Sequence, residues 1–280
     1  MYAQLEDEFG DIVAKARRGQ EIDSAVLAEK VGISGDDLAR VENYELIPGV
    51  ETIGGFARVL GLSEEKLEGS AQKRFFPLYP AGRPVEGLRV EMMVLGSGFQ
   101  MNGYVVGCME TGKAVLIDPG FDPEKILRNI EVLGLTVEAI LLTHGHQDHI
   151  GALSEICQAI EAPALISGSD LGLMGNLANK VEGELIEGEV VQIGKLCFEI
   201  RSTPGHTPGG VTLVHGEVAF VGDALFAGSL GGTRTLGNYR AQRQAVMEKV
   251  LGEDEKTVLF PGHGPATTVG EEKKHNPFID

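Results

Sequence analysis

Tryptophan is missing from this chain, cysteine is rare and cations are scarce. The three cysteines, Cys108, Cys157 and Cys197, are far apart and form no C-x-x-C pair. That excludes a disulfide framework and a thiolate zinc cage, and leaves small, mostly apolar side chains in a reducing compartment. Lys plus Arg number 24 against 41 Asp plus Glu, a formal net charge of −17. A nucleic-acid partner held by a general basic surface is therefore disfavoured, because phosphate binding needs clustered cations. No stretch approaches the roughly 18 apolar residues of a membrane span. The first ten residues carry Glu6, Asp7 and Glu8 where a secretory leader needs basic and then apolar residues. The expectation is a cytoplasmic protein.

What is present is ordinary globular material. With 42% hydrophobic and 23% charged residues the chain can bury a real core. Its 280 residues exceed what one core usually serves, so a catalytic domain plus a small appendage is expected. Glycine, at 39 residues, is about twice as frequent as in an average protein, which points to tight turns and function carried on loops.

Residues 1–75 show short helical patterns and no strand-like alternation. Leu27, Ala28 and Val31 precede Gly32-Ile33-Ser34, and Ser34 with Asp37 makes a capping-box start for a helix carrying Leu38 and Val41. Phe56, Ala57, Leu60, Leu62 and Leu67 supply the apolar faces of two closing helices. The stretch from Leu27 to Leu67 resembles the Cro/repressor-type helix-turn-helix domain. The helix that would enter the major groove, however, carries Asp36, Asp37, Glu42 and Glu45 against Arg40 alone. Residues 1–75 hold 9 Lys/Arg and 15 Asp/Glu, a net of −6. DNA binding is thus disfavoured relative to a helical unit used for a homodimer contact or to cover its neighbour. The Pro-rich piece 76–87 reads as a linker, and residues 88–280 as the second domain.

From Leu88 onward short apolar strands alternate with turns and a few helices. Strand-like runs are Arg89–Leu95, Gly103–Gly107, Ala114–Ile117, Ala139–Leu142, Leu196–Ser202, Val211–Val214, Val218–Val221 and Thr257–Phe260. Asp122-Pro123 opens a helix whose Ile126, Leu127, Ile130 and Leu133 share one face, and helices are expected near 152–160 and 239–250. The class is layered α/β.

Chemistry concentrates in Thr143-His144-Gly145-His146-Gln147-Asp148-His149, directly after the apolar run 139–142. Three imidazoles and a carboxylate this close together need partners, and they are the ligand types of zinc, iron and manganese. His206 in Thr203-Pro204-Gly205-His206-Thr207, Asp223 in Gly222-Asp223 and His263 in Pro261-Gly262-His263-Gly264 each follow a strand and adjoin glycine. Five of the seven histidines fall in these motifs. His215 and His275 read as surface or structural residues.

These motifs resemble the metallo-β-lactamase superfamily over residues 88–280. Asp118-Pro119-Gly120 is similar to its early Asp loop, and Asn102-Gly103-Tyr104 to the Asn-x-Tyr of its second strand. Thr-Pro-Gly-His-Thr-Pro-Gly, Gly-Asp-Ala-Leu-Phe, Pro-Gly-His-Gly-Pro-Ala-Thr-Thr and His-Asn-Pro-Phe look like its hydroxyacylglutathione hydrolase (glyoxalase II) branch.

The resemblance implies a four-layered αβ/βα sandwich behind the small all-α unit. It implies two divalent metal ions, zinc first with iron or manganese as alternatives. His144, His146 and His206 would hold one ion, Asp148, His149 and His263 the other, and Asp223 would bridge them. A hydroxide shared by the ions would attack a thioester or ester carbonyl, with Asp148 and Asp223 in the catalytic centre. Asp118 would stand behind the ligands and orient a histidine. The chain ends before the extra C-terminal helical domain of classical members, so the thiol-bearing part of the substrate is not specified. Lys273, Lys274 and Arg240 read as solvated charges or as contacts to an anionic substrate. Competing readings are a mononuclear iron persulfide dioxygenase using His144, His206 and Asp223, a lactonase, and a DNA-binding regulator with a sensor domain. Against the dioxygenase, Gly231-Gly232-Thr233-Arg234-Thr235-Leu236 stands where that branch has Gly-Arg-Thr-Asp-Phe.

Overall fold

The computed structural model describes residues 2–279. Five helices come first: α1 (Phe9–Gly19), α2 (Ser24–Val31), α3 (Gly35–Glu42), α4 (Val50–Leu60) and α5 (Glu64–Ala71). Gly32 ends α2 in the left-handed region (φ 79°), and the Ser34 hydroxyl then accepts the Asp37 N–H to start α3. The buried faces of these helices, among them Phe9, Ile12, Leu27, Leu38, Phe56, Leu60 and Leu67, form one apolar cluster with Val221, Leu225, Leu259, Val269 and Phe278. The helical unit therefore shares a core with the chain that follows.

Two six-stranded sheets make up the rest. The first runs in order from β1 (Leu88–Leu95) through β2 (Met101–Cys108), β3 (Lys113–Ile117), β4 (Thr136–Leu141) and β5 (Ala164–Ile166) to β6 (Val181–Glu184). The second comprises β7 (Val190–Ile193), β8 (Leu196–Ser202), β9 (Val211–His215), β10 (Val218–Gly222), β11 (Val258–Pro261) and β12 (Thr267–Thr268), also in sequential order. Facing side chains such as Val106, Ile117, Leu141, Phe198, Leu213, Phe220 and Phe260 fill the space between the sheets. Helices α6 (Pro123–Leu133) and α8 (Leu153–Ala159) cover the outer face of the first sheet. Helix α9 (Leu236–Ala245), its π-helical extension to Val250 and helix α10 (Val269–His275) join the N-terminal cluster over the second. Helix, sheet, sheet and helix make the four layers that the resemblance implies.

The expected strands and helices all form. The sequence reading passed over β5, β6, β7, β12 and α10, which have two to seven residues and too little length for a periodic signal. No helix among the described residues is long and apolar enough to cross a membrane.

The topology places the site. Strands β3 and β4 pair in parallel, as do β10 and β11. Their C-terminal ends release Asp118, His144, Asp223 and His263 into neighbouring loops, the usual outlet for function in such sheets.

Candidate metal centre

Immediately after β4 the chain turns through His144, Gly145 and His146 into the short helix α7 (Gln147–Ile150), whose first turn carries Asp148 and His149. The structure brings all seven predicted ligands together. His144, His146 and His206 form one group and Asp148, His149 and His263 another, with the ligand atoms of each group within 4.8 Å of one another. Asp223 faces both: one carboxylate oxygen lies 3.2 Å from Nε2 of His206 and the other 3.4 Å from Nε2 of His149.

The outer nitrogen of three of the five rings is spoken for, and this fixes which nitrogen faces the site. Nδ1 of His206 donates to the Gly232 carbonyl at 2.8 Å, and Nδ1 of His263 to the Gln100 carbonyl at 2.8 Å. Nδ1 of His149 donates to Asp118 Oδ2 at 2.9 Å. Each of these three rings then turns Nε2 inward. Within this polar cluster, Nε2 of His144 and Oδ1 of Asp223 are buried without a hydrogen-bond partner. Nε2 of His206 and Nδ1 of His146 stand 3.0 Å apart, and Nε2 of His149 and of His263 stand 3.4 Å apart. Imidazole nitrogens converging at these distances, with unpartnered buried atoms among them, fit divalent cations that displace any proton held there.

The electrostatics have the same sense. Burial would raise the Asp223 carboxyl, but His149, His263 and His206 hold it well below the ordinary range. Burial likewise opposes ionisation of Asp148, which its hydrogen bond to His263 and the charge of His149 hold low. Burial would lower His149, yet Asp223 and Asp118 raise it well above the usual imidazole value. His144, buried and lacking a carboxylate contact of that strength, is pushed well below it by burial and by His149. Two ionised carboxylates thus draw positive charge into a buried space.

Residues 96–263 match the metallo-beta-lactamase superfamily. The chain belongs to that superfamily. Hydroxyacylglutathione hydrolase GloC of Haemophilus influenzae is 33% identical over 202 residues, which span 66% of this chain and 95% of that protein. The probable metallo-hydrolase YqgX of Bacillus subtilis is 35% identical over 198 residues, 65% of this chain and 93% of that one. Among solved structures, TTHA1623 in a di-iron-bound form superposes with a TM-score of 0.58 at 34% identity, covering 68% of this chain and 100% of that one. The helices α1–α5 lie outside the matched superfamily region.

Asp118 lies directly behind His149. Besides His149 it accepts the Thr143 N–H at 2.8 Å and the Thr143 hydroxyl at 2.6 Å. Its φ of 51° is a left-handed conformation that a non-glycine residue adopts at a cost, here at a functional turn. Asn102 also bears on the site, donating from Nδ2 to the carbonyls of Pro261 and Gly264 and so pinning the His263 turn.

Sequence reasoning missed two supports. Asp170, fully buried, accepts the N–H of Gly145 at 2.9 Å and of Gly209 at 2.6 Å, tying the His144–His146 turn to the loop beyond His206. Nε2 of Gln242 donates to the carbonyls of Ala224 and Gly231, bracing the Asp223 loop. Neither stands in a recognisable local pattern. His215 and His275 lie outside the cluster: His215 accepts the Cys197 N–H, and His275 stacks on Phe75. Lys273, Lys274 and Arg240 are exposed and contribute nothing to it.

Proposed function

We propose that this chain is a metal-dependent hydrolase of thioesters or esters, similar in activity to the hydroxyacylglutathione hydrolases. The placement of Asp223 carries the reading, because its two oxygens face two separate ligand groups. His144, His146 and His206 would hold one divalent ion, Asp148, His149 and His263 a second, and Asp223 would reach both; zinc or iron suits this donor set. Bound there, such ions supply Lewis acidity toward a carbonyl oxygen and make water a nucleophile near neutral pH.

The chain's own residues provide the rest. Gly232, Gln100 and Asp118 engage Nδ1 of His206, His263 and His149, so three Nε2 atoms are aimed at the site before any ligand arrives. The rings of Phe99 and Phe226 flank His263, at 5.2 and 5.6 Å between centroids. No serine or cysteine nucleophile is needed.

We infer a boundary at residues 76–87, with the helical unit 1–75 covering the metal-site domain 88–280. The shared apolar cluster, the exposed Asp36 and the half-buried Asp37 that pairs with Arg40 at 3.1 Å support covering over DNA reading. A gel shift at low salt is expected to show no retarded complex, and salt-sensitive, sequence-specific binding would overturn that assignment.

The deciding experiment couples metal analysis of the purified protein to hydrolysis of S-lactoylglutathione followed by thiol release. Two metal ions per chain with thiol release is the expected result. One iron per chain, oxygen uptake and no thiol release would replace the hydrolase with a dioxygenase.

A further inference from the structure

The helical unit and the metal-site domain enclose a second concavity of about 390 Å³, a size that accommodates a small organic molecule. Its walls are the N-terminal strap from Ala3 to Glu8, the end of α5 with the following Phe75 and Phe76, the turn at Gly228, and Lys274 and His275 on α10. None of these is among the residues grouped at the metal centre.

Two features define what it would hold. The first is charge. In a chain of net charge −17, Lys66, Lys73, Arg74 and Lys274 converge on this one space. Of the acids beside them, Asp7 is buried and paired with Lys15, Glu8 is paired with Lys73 at 2.8 Å, and the exposed Glu65 also lines the space, while Arg74 spends one guanidinium nitrogen on Glu68 at 3.2 Å and keeps its other donors. Lys274 has no ion pair or hydrogen bond among the described residues. The second is shape. Phe75 and His275 stack with ring centroids 4.5 Å apart and planes within 10°, giving the wall a flat aromatic ledge. Gly228, at φ +75°, lets the backbone pass closely: a Cβ there would stand 3.3 Å from the Phe75 ring and 3.6 Å from Leu5.

We propose that this cavity is a binding site for a nucleotide-sized organic anion, whose planar body lies against the Phe75–His275 ledge and whose anionic group is met by Arg74 and Lys274. Guanidinium and ammonium donors that are only partly paired gain charge-assisted hydrogen bonds from phosphate or sulfonate oxygens, and stacking is tolerant of ring identity. The site is independent of the metal-centre chemistry.

Calorimetric titration of the full-length, metal-loaded protein tests it, with adenosine 5′-monophosphate and 8-anilinonaphthalene-1-sulfonate as planar anions and with inorganic phosphate and adenosine as their separate halves. One saturable site per chain for a planar anion is expected, with each half at least about tenfold weaker. The double variant Arg74→Glu/Lys274→Glu should weaken the planar anion by about tenfold or more while metal content and Tm stay unchanged. Phe75→Ala should weaken it while leaving inorganic phosphate unaffected. Failure of both planar anions to bind at about 5 mM overturns the site. So does binding that ignores Arg74 and Lys274, as it would at the metal centre, and phosphate binding as tight as the nucleotide removes the aromatic ledge from the assignment.

Discussion

Nδ1 of His149 lies 2.9 Å from Oδ2 of Asp118, and both side chains are buried. The carboxylate is delivered by the strand β3 turn and the imidazole by helix α7, so one hydrogen bond joins two elements and sets the ring's tautomer. Asp118→Asn keeps the size and the acceptor for Thr143 but can set an amide N–H against the His149 N–H. Metal affinity or turnover is expected to fall by about 10- to 100-fold, the usual effect of losing such a support. Metal titration beside circular dichroism checks it; unchanged affinity in a folded variant would assign Asp118 to the turn alone.

Asp223→Ala removes the side chain facing both ligand groups. Metal stoichiometry is expected to drop at both positions and turnover to disappear. Elemental analysis of the purified variant decides this, and full metal content with retained activity would sink the binuclear assignment.

Gly262→Ala tests the site's tightness without replacing a ligand. A Cβ there would come 2.1 Å from Asp223 Oδ1 and 2.6 Å from His149 Cε1. Since neither neighbour can retreat, the two groups should be forced apart, with metal binding lost before the fold. A variant that binds metal like the parent would show that the turn can relax.

Glu272 gives a pH signature away from the centre. It is fully buried, accepting from the Gly228 N–H at 3.1 Å, Thr267 at 2.8 Å and Asn276 at 2.8 Å. Burial, only partly offset by these bonds, raises its carboxyl from 4.5 to about 7. The folded state therefore holds the proton more tightly than the unfolded one. Its contribution is most favourable below pH 4.5, declines as pH rises to about 7 and is level above that. The full change is at most about 3 kcal/mol. Denaturation of the parent and of Glu272→Gln across pH 5–8 should show the parent losing stability relative to the variant as pH rises. Parallel curves would contradict the raised value.

The seven candidate ligands were legible because histidine and aspartate directly after apolar strands, beside glycine, have few other uses. The second sheet's β8 to β11 could be read for the same reason, from continuous apolar runs with turns between them. Asp170 could not, since its partners Gly145 and Gly209 lie 25 and 39 residues away in opposite directions and an isolated Ser-Asp step resembles any turn. Short strands such as β5 and β6 escaped because three or four residues show no period.

Local sequence, then, determined which residues are ligand types, which strands precede them and where the helices start, because apolar periodicity and capping act over a few residues. Tertiary structure alone decided the distances at which the two ligand groups and Asp223 face one another. It also decided which backbone carbonyl fixes each imidazole, and that the N-terminal helices close a cationic cavity against α10. Those outcomes depend on parallel strand pairing and on a core shared between distant segments, and no local stretch of chain encodes either.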